Sequence, residues 1–279
     1  MGSRAMIVVL RNLHRVCAAV AVTLACTAPA VAETSDVTVE VTEGAKPAAL
    51  RARLHTPTGQ APFPTVIFLH GCAGPGRRQD AWADELAGEG YAVLQLDSFS
   101  ARGLKRVCGD RTLFPPQDRA DDVFAAVRAL QRRPEVDRAR IAVMGWSHGG
   151  STTLWTLSEQ HSHPNERLRV AIAFYPGCLD SRGWKDAPPL LMLLGGSDTW
   201  TPAVYCTRLA HQIESFGQRV EAVVYPGAYH AFDDAGLHGP TRVRDALGGK
   251  GATIAYDAAA HADARKRVRA FLARALKGP

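Results

Sequence analysis

The chain has 279 residues, 46% of them hydrophobic and 22% charged, which excludes a disordered or fibrous chain and fits one sizeable α/β domain with a buried core. Its formal charge of +6 is small for this length and its basic residues are spread out, which speaks against nucleic acid as a partner. Only Arg265, Lys266, Arg267 and Arg269 form a basic stripe, as expected of a solvated helix face.

The first 32 residues stand apart. Arg4, Arg11 and Arg15 precede an apolar stretch over 16–31 that ends in Ala30-Val31-Ala32, the small-x-small pattern that signal peptidase accepts. The stretch is short for a membrane span, so a cleaved signal peptide over 1–32 and no stable membrane anchor are expected. A lipid-modified start at Cys26 fits less well, because Thr23 stands where a larger aliphatic residue is needed. On this reading residues 33–279 form a single domain that is periplasmic or secreted. Cleavage removes three arginines and no acids, lowering the formal charge from +6 to +3.

Four cysteines then remain, Cys72, Cys108, Cys178 and Cys206, and an even number in an exported chain favours disulfides. Sequence proximity favours Cys72 with Cys108 and Cys178 with Cys206 among the three possible pairings; buried free thiols are the alternative. No metal site is expected, since no Cys-x-x-Cys or His-x-x-x-His spacing occurs and His161-x-His163 lies in a polar loop.

Residues 37–41 and 50–54 flank a Gly-Ala-Lys-Pro turn and are predicted to form an edge hairpin. Val66 to Leu69 is a continuous apolar run, followed by a Gly-rich turn and an amphipathic helix over about 79–87. Ala92 to Leu96 is the next strand. Asp118 begins a helix in which Val123, Ala126, Val127 and Leu130 recur at helical spacing, ended by Pro134. Strands are then predicted at 141–144, 170–174, 190–194 and 221–225, and helices at about 149–158, 202–216 and 257–276. Strands alternating with helices, each strand an aliphatic run buried on both faces, give a mostly parallel central sheet covered by helices on both faces. In such sheets the active site lies at the carboxyl ends of the strands. The Gly-rich stretch 236–251 is the one long irregular loop, and the sequence leaves open whether it covers a site.

The strand at 141–144 runs into Gly145-Trp146-Ser147-His148-Gly149, which places a serine on a sharp strand-to-helix turn. A serine hydroxyl is a weak nucleophile until a base takes its proton and an acid holds that base in one tautomer. Asp198, in Gly195-Gly196-Ser197-Asp198, and His230, in Gly227-Ala228-Tyr229-His230, each follow a predicted strand and supply the acid and base in the order Ser, Asp, His. Asp97 precedes the serine, and Asp233 and Asp234 are too close to His230 to reach its far nitrogen; the latter two are expected to be loop or capping residues.

An attacked carbonyl also needs two donors for its oxyanion. The backbone N–H of His148 is one; the other is expected from Cys72 in His70-Gly71-Cys72-Ala73-Gly74, and the side chains of His70 and His148 need not react. Trp146, Trp200, Tyr229 and Phe99 are candidate pocket walls, and Arg77, Arg78 and Arg102 are candidates to meet an anionic substrate.

Taken together, His70-Gly71-Cys72-x-Gly74, Gly145-x-Ser147-x-Gly149-Gly150, Gly195-x-x-Asp198-x-x-x-Pro202 and Gly227-x-x-His230-x-Phe232 resemble the dienelactone hydrolase family of the α/β-hydrolase fold, from about residue 50 to the C-terminus. The resemblance implies hydrolysis of a small-molecule ester or lactone through a covalent acyl-enzyme, with no metal or organic cofactor. The chain departs from the founding members at the nucleophile, Ser147 where they carry cysteine. The alternatives are a peptidase or acyltransferase on the same fold and a catalytically silent binding protein; natural substrate and oligomeric state are not legible.

Overall fold

The computed structural model describes residues 1–2, 33–159, 163–178, 184, 186–246 and 248–278. The expected signal peptide, apart from Met1 and Gly2, and His161 lie outside the described residues. The first strand, β1 (Glu33–Val41), turns back into β2 (Ala48–Thr56) as an antiparallel hairpin at the sheet edge. It is followed by β3 (Phe63–Leu69), α1 (Arg77–Gly88), β4 (Ala92–Asp97), α2 (Pro116–Leu130) and β5 (Val136–Trp146). Then come α3 (His148–Thr156), β6 (Val170–Phe174), β7 (Leu190–Gly195), α4 (Ala203–Ser215) and β8 (Val220–Tyr225), and last β9 (Thr241–Val243), β10 (Ala252–Ile254) and α5 (Ala258–Leu276).

Among the described residues eight strands join in the order β1-β2-β4-β3-β5-β6-β7-β8, with β2 antiparallel to both neighbours and every later pair parallel. Successive side chains of a strand point to opposite faces, and β3 divides accordingly. Ile67 and Leu69 pack with Val123 and Val127 of α2, Leu154 of α3 and Leu209 of α4. Val66 and Phe68 pack with Trp82 and Leu86 of α1 and Val268 and Leu272 of α5. Each such aliphatic side chain, removed from water, contributes about 1.5–3 kcal/mol, so two cores of this size hold the strand ends in fixed positions.

Helix starts follow local chemistry. Pro116 sits in the first turn of α2, where its missing N–H costs nothing, and Asp257 caps α5 by accepting from Ala259 N–H (3.1 Å) and Ala260 N–H (3.0 Å). Two expectations are corrected. Burial on both faces holds for β3, β6 and β7, whereas β1 alternates and β8, an edge strand, is half-buried. The stretch 236–251 is not wholly irregular: β9 runs through it and pairs with β10, a ribbon too short to leave a periodic signal. The basic stripe is a solvated face as expected, and its arginines also form ion pairs there, Arg265 with Glu85, Arg269 with Glu85 and Glu89, and Arg267 with Asp263 and Glu221.

Candidate active site

The turn between β5 and α3 carries Ser147 at φ 53° and ψ −112°. That left-handed conformation is costly for a residue with a side chain, by roughly 1–3 kcal/mol, and it persists because the surroundings force it. A Cβ on Gly145 would lie 2.2 Å from the Gly149 carbonyl oxygen, and one on Gly149 would lie 2.1 Å from that of Leu69. Only glycine lets β5, α3 and β3 close this far. Ser147 N–H donates to the Phe174 carbonyl (2.9 Å), and Tyr175 and Ala231 also have positive φ (36° and 61°). Three of the four non-glycine residues with positive φ among the described residues thus lie at or beside the site.

Asp198 and His230 meet Ser147 from the ends of β7 and β8. His230 Nε2 lies 2.9 Å from Ser147 Oγ, and its Nδ1 lies 2.7 Å from Asp198 Oδ2. A carboxylate only accepts, so Nδ1 carries the proton and Nε2 is left to accept from the hydroxyl. Asp198 Oδ1 accepts from Trp200 N–H (2.7 Å) and Thr201 N–H (2.9 Å), and the Thr201 hydroxyl donates to Oδ2 (2.8 Å). Burial pushes the Asp198 carboxyl up, but the facing His230 ring and the Thr201 donors outweigh it and hold the group below the ordinary carboxylate value. The His230 loop is pinned in turn by its own backbone: Ala255 N–H donates to the His230 carbonyl (3.2 Å) and Asp257 N–H to that of Phe232 (2.9 Å).

Beside the serine, Cys72 and His148 line a narrow cleft together with Cys108, Arg111, Ser151, Trp200 and Thr201. His148 opens α3, so its backbone N–H is one of the unpaired donors at a helix N-terminus. Cys72 is bonded to Cys108 (S–S 2.02 Å) and Cys178 to Cys206 (1.98 Å). Val107 N–H also donates to the Cys72 carbonyl (2.8 Å), which ties the loop after β3 to the loop after β4. The arrangement brings a hydroxyl, an imidazole and a carboxylate into one hydrogen-bonded line beside a helix N-terminus.

Several expected site residues are placed elsewhere. Trp146 is fully buried on the far side of the turn, stacked on Phe174, and Phe99 is 1% exposed beneath the loop after β3; neither is a wall, because both large rings complete cores. Trp200 does line the cleft and its ring lies 4.9 Å from that of His230; Tyr229 is half-buried and outside that lining. Arg102 is bound to Asp122 (2.7 Å), Arg78 lies beside Asp233 and Asp234, and Arg77 is exposed away from the cleft, so Arg111 is the arginine that reaches it. Asp97 accepts from Phe99 and Ser100 N–H (both 3.0 Å), a turn role.

Asp233 is not a capping residue. It is 2% exposed and accepts from Trp82 Nε1–H (3.0 Å), Trp146 Nε1–H (2.8 Å) and the Tyr175 hydroxyl (2.6 Å). Burial raises the Tyr175 hydroxyl well above its usual value, so it stays a donor, and its ring lies 4.6 Å from that of His230. Asp233, Tyr175 and Thr201 were not visible as site residues. Asp198-x-x-Thr201 is the kind of short-range acceptor and donor spacing that signals such a turn, whereas nothing in the sequence pairs Asp233 with tryptophans 87 and 151 residues away.

The order of strands, the single antiparallel excursion at β2 and the serine turn define the α/β-hydrolase fold. Solved structures agree: a dienelactone hydrolase-like promiscuous phosphotriesterase, P91, from metagenomic libraries superposes with a TM-score of 0.68 at 20% identity over 88% of this chain and 99% of its own. Esterase 2 of Thermogutta terrifontis, solved phosphoramylated by tabun, gives 0.63 at 18% identity over 86% and 94%. Within that fold the chain belongs to the dienelactone hydrolase family, whose model matches residues 50–276.

A protein of Methylorubrum extorquens, provisionally named for carboxymethylenebutenolidase activity, is 24% identical over 195 residues, 63% of this chain and 65% of that protein. The uncharacterized peptidase YuxL of Bacillus subtilis is 25% identical over 218 residues, 64% of this chain and 32% of that protein. The chain therefore spans less than two thirds of the length of either relative.

Proposed function

We propose that the chain is an exported serine hydrolase that cleaves a small carboxylic ester or lactone through an acyl-enzyme on Ser147. The observation that carries this reading is the unbroken hydrogen-bonded path from Asp198 through His230 to Ser147 Oγ, ending in a cleft. Ser147 Oγ attacks the carbonyl carbon while His230 Nε2 takes its proton. The resulting oxyanion is held by the N–H groups of Cys72 and His148, a contribution typically worth about 3 kcal/mol per donor. Asp198 stabilises the imidazolium, which then protonates the leaving alcohol; water repeats the sequence to free the acid. No step needs a metal or organic cofactor. Family membership and the phosphylated Thermogutta esterase support the reading.

Export rests on the leader and on the two disulfides, which suit an oxidising compartment. Among the described residues no helix is long and apolar enough to cross a membrane. On this reading 33–279 is the mature single domain, and mass spectrometry should find Glu33 at the N-terminus of exported protein.

A fluorophosphonate probe should label the folded protein, and labelling should vanish in Ser147→Ala together with about a 10⁶-fold drop in p-nitrophenyl acetate turnover. Equal rates for the two proteins would refute the assignment. Likeness to a peptidase is met by including a peptide amide in the same assay; cleavage of the amide in preference to esters would replace esterase with peptidase.

A further inference from the structure

Arg119 lies on the buried face of α2 and is fully buried, yet among the described residues no carboxylate touches it. Its Nε–H donates to Ser98 Oγ (2.9 Å), and Nη1 lies 2.8 Å from the His70 carbonyl oxygen and 3.2 Å from His148 Nδ1. The guanidinium stands 5.2 Å from the centre of the Phe99 ring, and Nη2 has no hydrogen-bond partner. The nearby carboxylate, Asp122, is occupied by both Nη groups of Arg102. A buried cation without a contacting counter-ion costs stability, and a well-packed apolar side chain would ordinarily serve the core better.

What the guanidinium touches accounts for its presence. His70 lies two residues before Cys72, and His148 is the residue whose N–H opens α3. One nitrogen of Arg119 therefore joins the backbone of one segment expected to bind the oxyanion to the His148 side chain of the other. His148 is a strut within the same unit: its Nε2–H donates to the Phe114 carbonyl (2.9 Å) and its Nδ1 faces Arg119. Burial and the Arg119 charge push His148 down to about 3, so it stays a neutral ring that can accept. Burial also lowers Arg119, partly offset by Asp122, to about 10, which leaves it charged at neutral pH.

We propose that Arg119 is a positioning residue for the oxyanion hole: its guanidinium fixes the spacing between the Cys72 and His148 N–H groups and keeps a positive charge behind the oxygen that gathers negative charge. The proposal rests on the serine hydrolase reading and adds to it. Preorganised charge in a water-poor site lowers the barrier because nothing has to reorient as the reaction proceeds.

The test compares wild type, Arg119→Met and Arg119→Lys, each purified with its disulfides formed and shown to be folded by circular dichroism. Phenylboronic acid is the probe, since its tetrahedral adduct on serine carries the oxyanion. Arg119→Met should lose about 100-fold in kcat for p-nitrophenyl acetate with KM within about threefold, and the boronate Ki should rise by the factor lost in kcat/KM. Arg119→Lys, which keeps the charge, should recover about tenfold of that loss.

A folded Arg119→Met with kcat within threefold of wild type, or with a kcat loss that the boronate Ki does not follow, would overturn the proposal. If Arg119→Met does not fold, Ser98→Ala removes the Nε acceptor, together with the Ser98 hydrogen bond to Asp122, and carries the same paired measurement; unchanged kcat and Ki there would also overturn it. A wild type that neither hydrolyses esters nor forms an adduct at Ser147 would instead overturn the hydrolase reading beneath it.

Discussion

The loop after β3 and the loop after β8 approach one serine from opposite sides of β5 in the sheet, and they are anchored by opposite charges. Beneath the first lies Arg119, a cation presented by α2 to the His70 carbonyl and the His148 ring. Beneath the second lies Asp233, an anion that collects donors from α1, β5 and the turn after β6. The placement suits the charges the proposed reaction creates, since an oxyanion forms beside the first loop and an imidazolium within the second. The loops also differ in what else restrains them: the first has the Cys72–Cys108 bond, the second a backbone ladder to the segment around Ile254.

If the second loop works through charge and tautomer, Asp198→Asn is the most damaging change short of removing the serine. Asparagine can stay in place and still leave His230 in the wrong tautomer, so kcat should fall about 10⁴-fold with the fold retained. Steady-state kinetics beside a thermal melt decide this; an Asp198→Asn enzyme within tenfold of wild type would mean another acid serves His230.

Asp233→Ala probes the anchor rather than the chemistry. It strips the acceptor from two indole N–H groups and a phenol at once, and should cost on the order of 3–5 kcal/mol in urea unfolding, with Asp233→Asn in between. A loss below about 1 kcal/mol would show that this carboxylate does not hold the second loop.

A further effect is set by pH and falls on the first loop. Burial holds His70 well below its ordinary value and His148 at about 3, so both are neutral in the folded protein while their unfolded counterparts take up protons below about pH 6.5. Stability contributed by these neutral rings is complete above pH 6.5 and declines as pH falls, by up to about 1.4 kcal/mol per pH unit for each histidine. Asp198, whose value is depressed, adds its own loss only at lower pH, below about 4. Urea melts at pH 7.5 and 5.0 should therefore differ before any carboxylate titrates, and a flat profile between them would contradict the neutral state of the two rings.

The sequence by itself determined the alternation of strands and helices, the serine turn and the loops that carry Asp198 and His230. These were legible because each is local: an aliphatic run, a glycine pair flanking a serine, an acid or imidazole one short loop past a strand. Tertiary structure decided the rest. Trp146 became core instead of wall, Arg102 a partner of Asp122, Arg111 the arginine of the cleft, and Asp233 the common acceptor of three distant donors. Those outcomes depend on which side chains meet across the sheet, and burial makes a lone polar group costly enough that its partner is chosen by proximity in space, not by spacing along the chain.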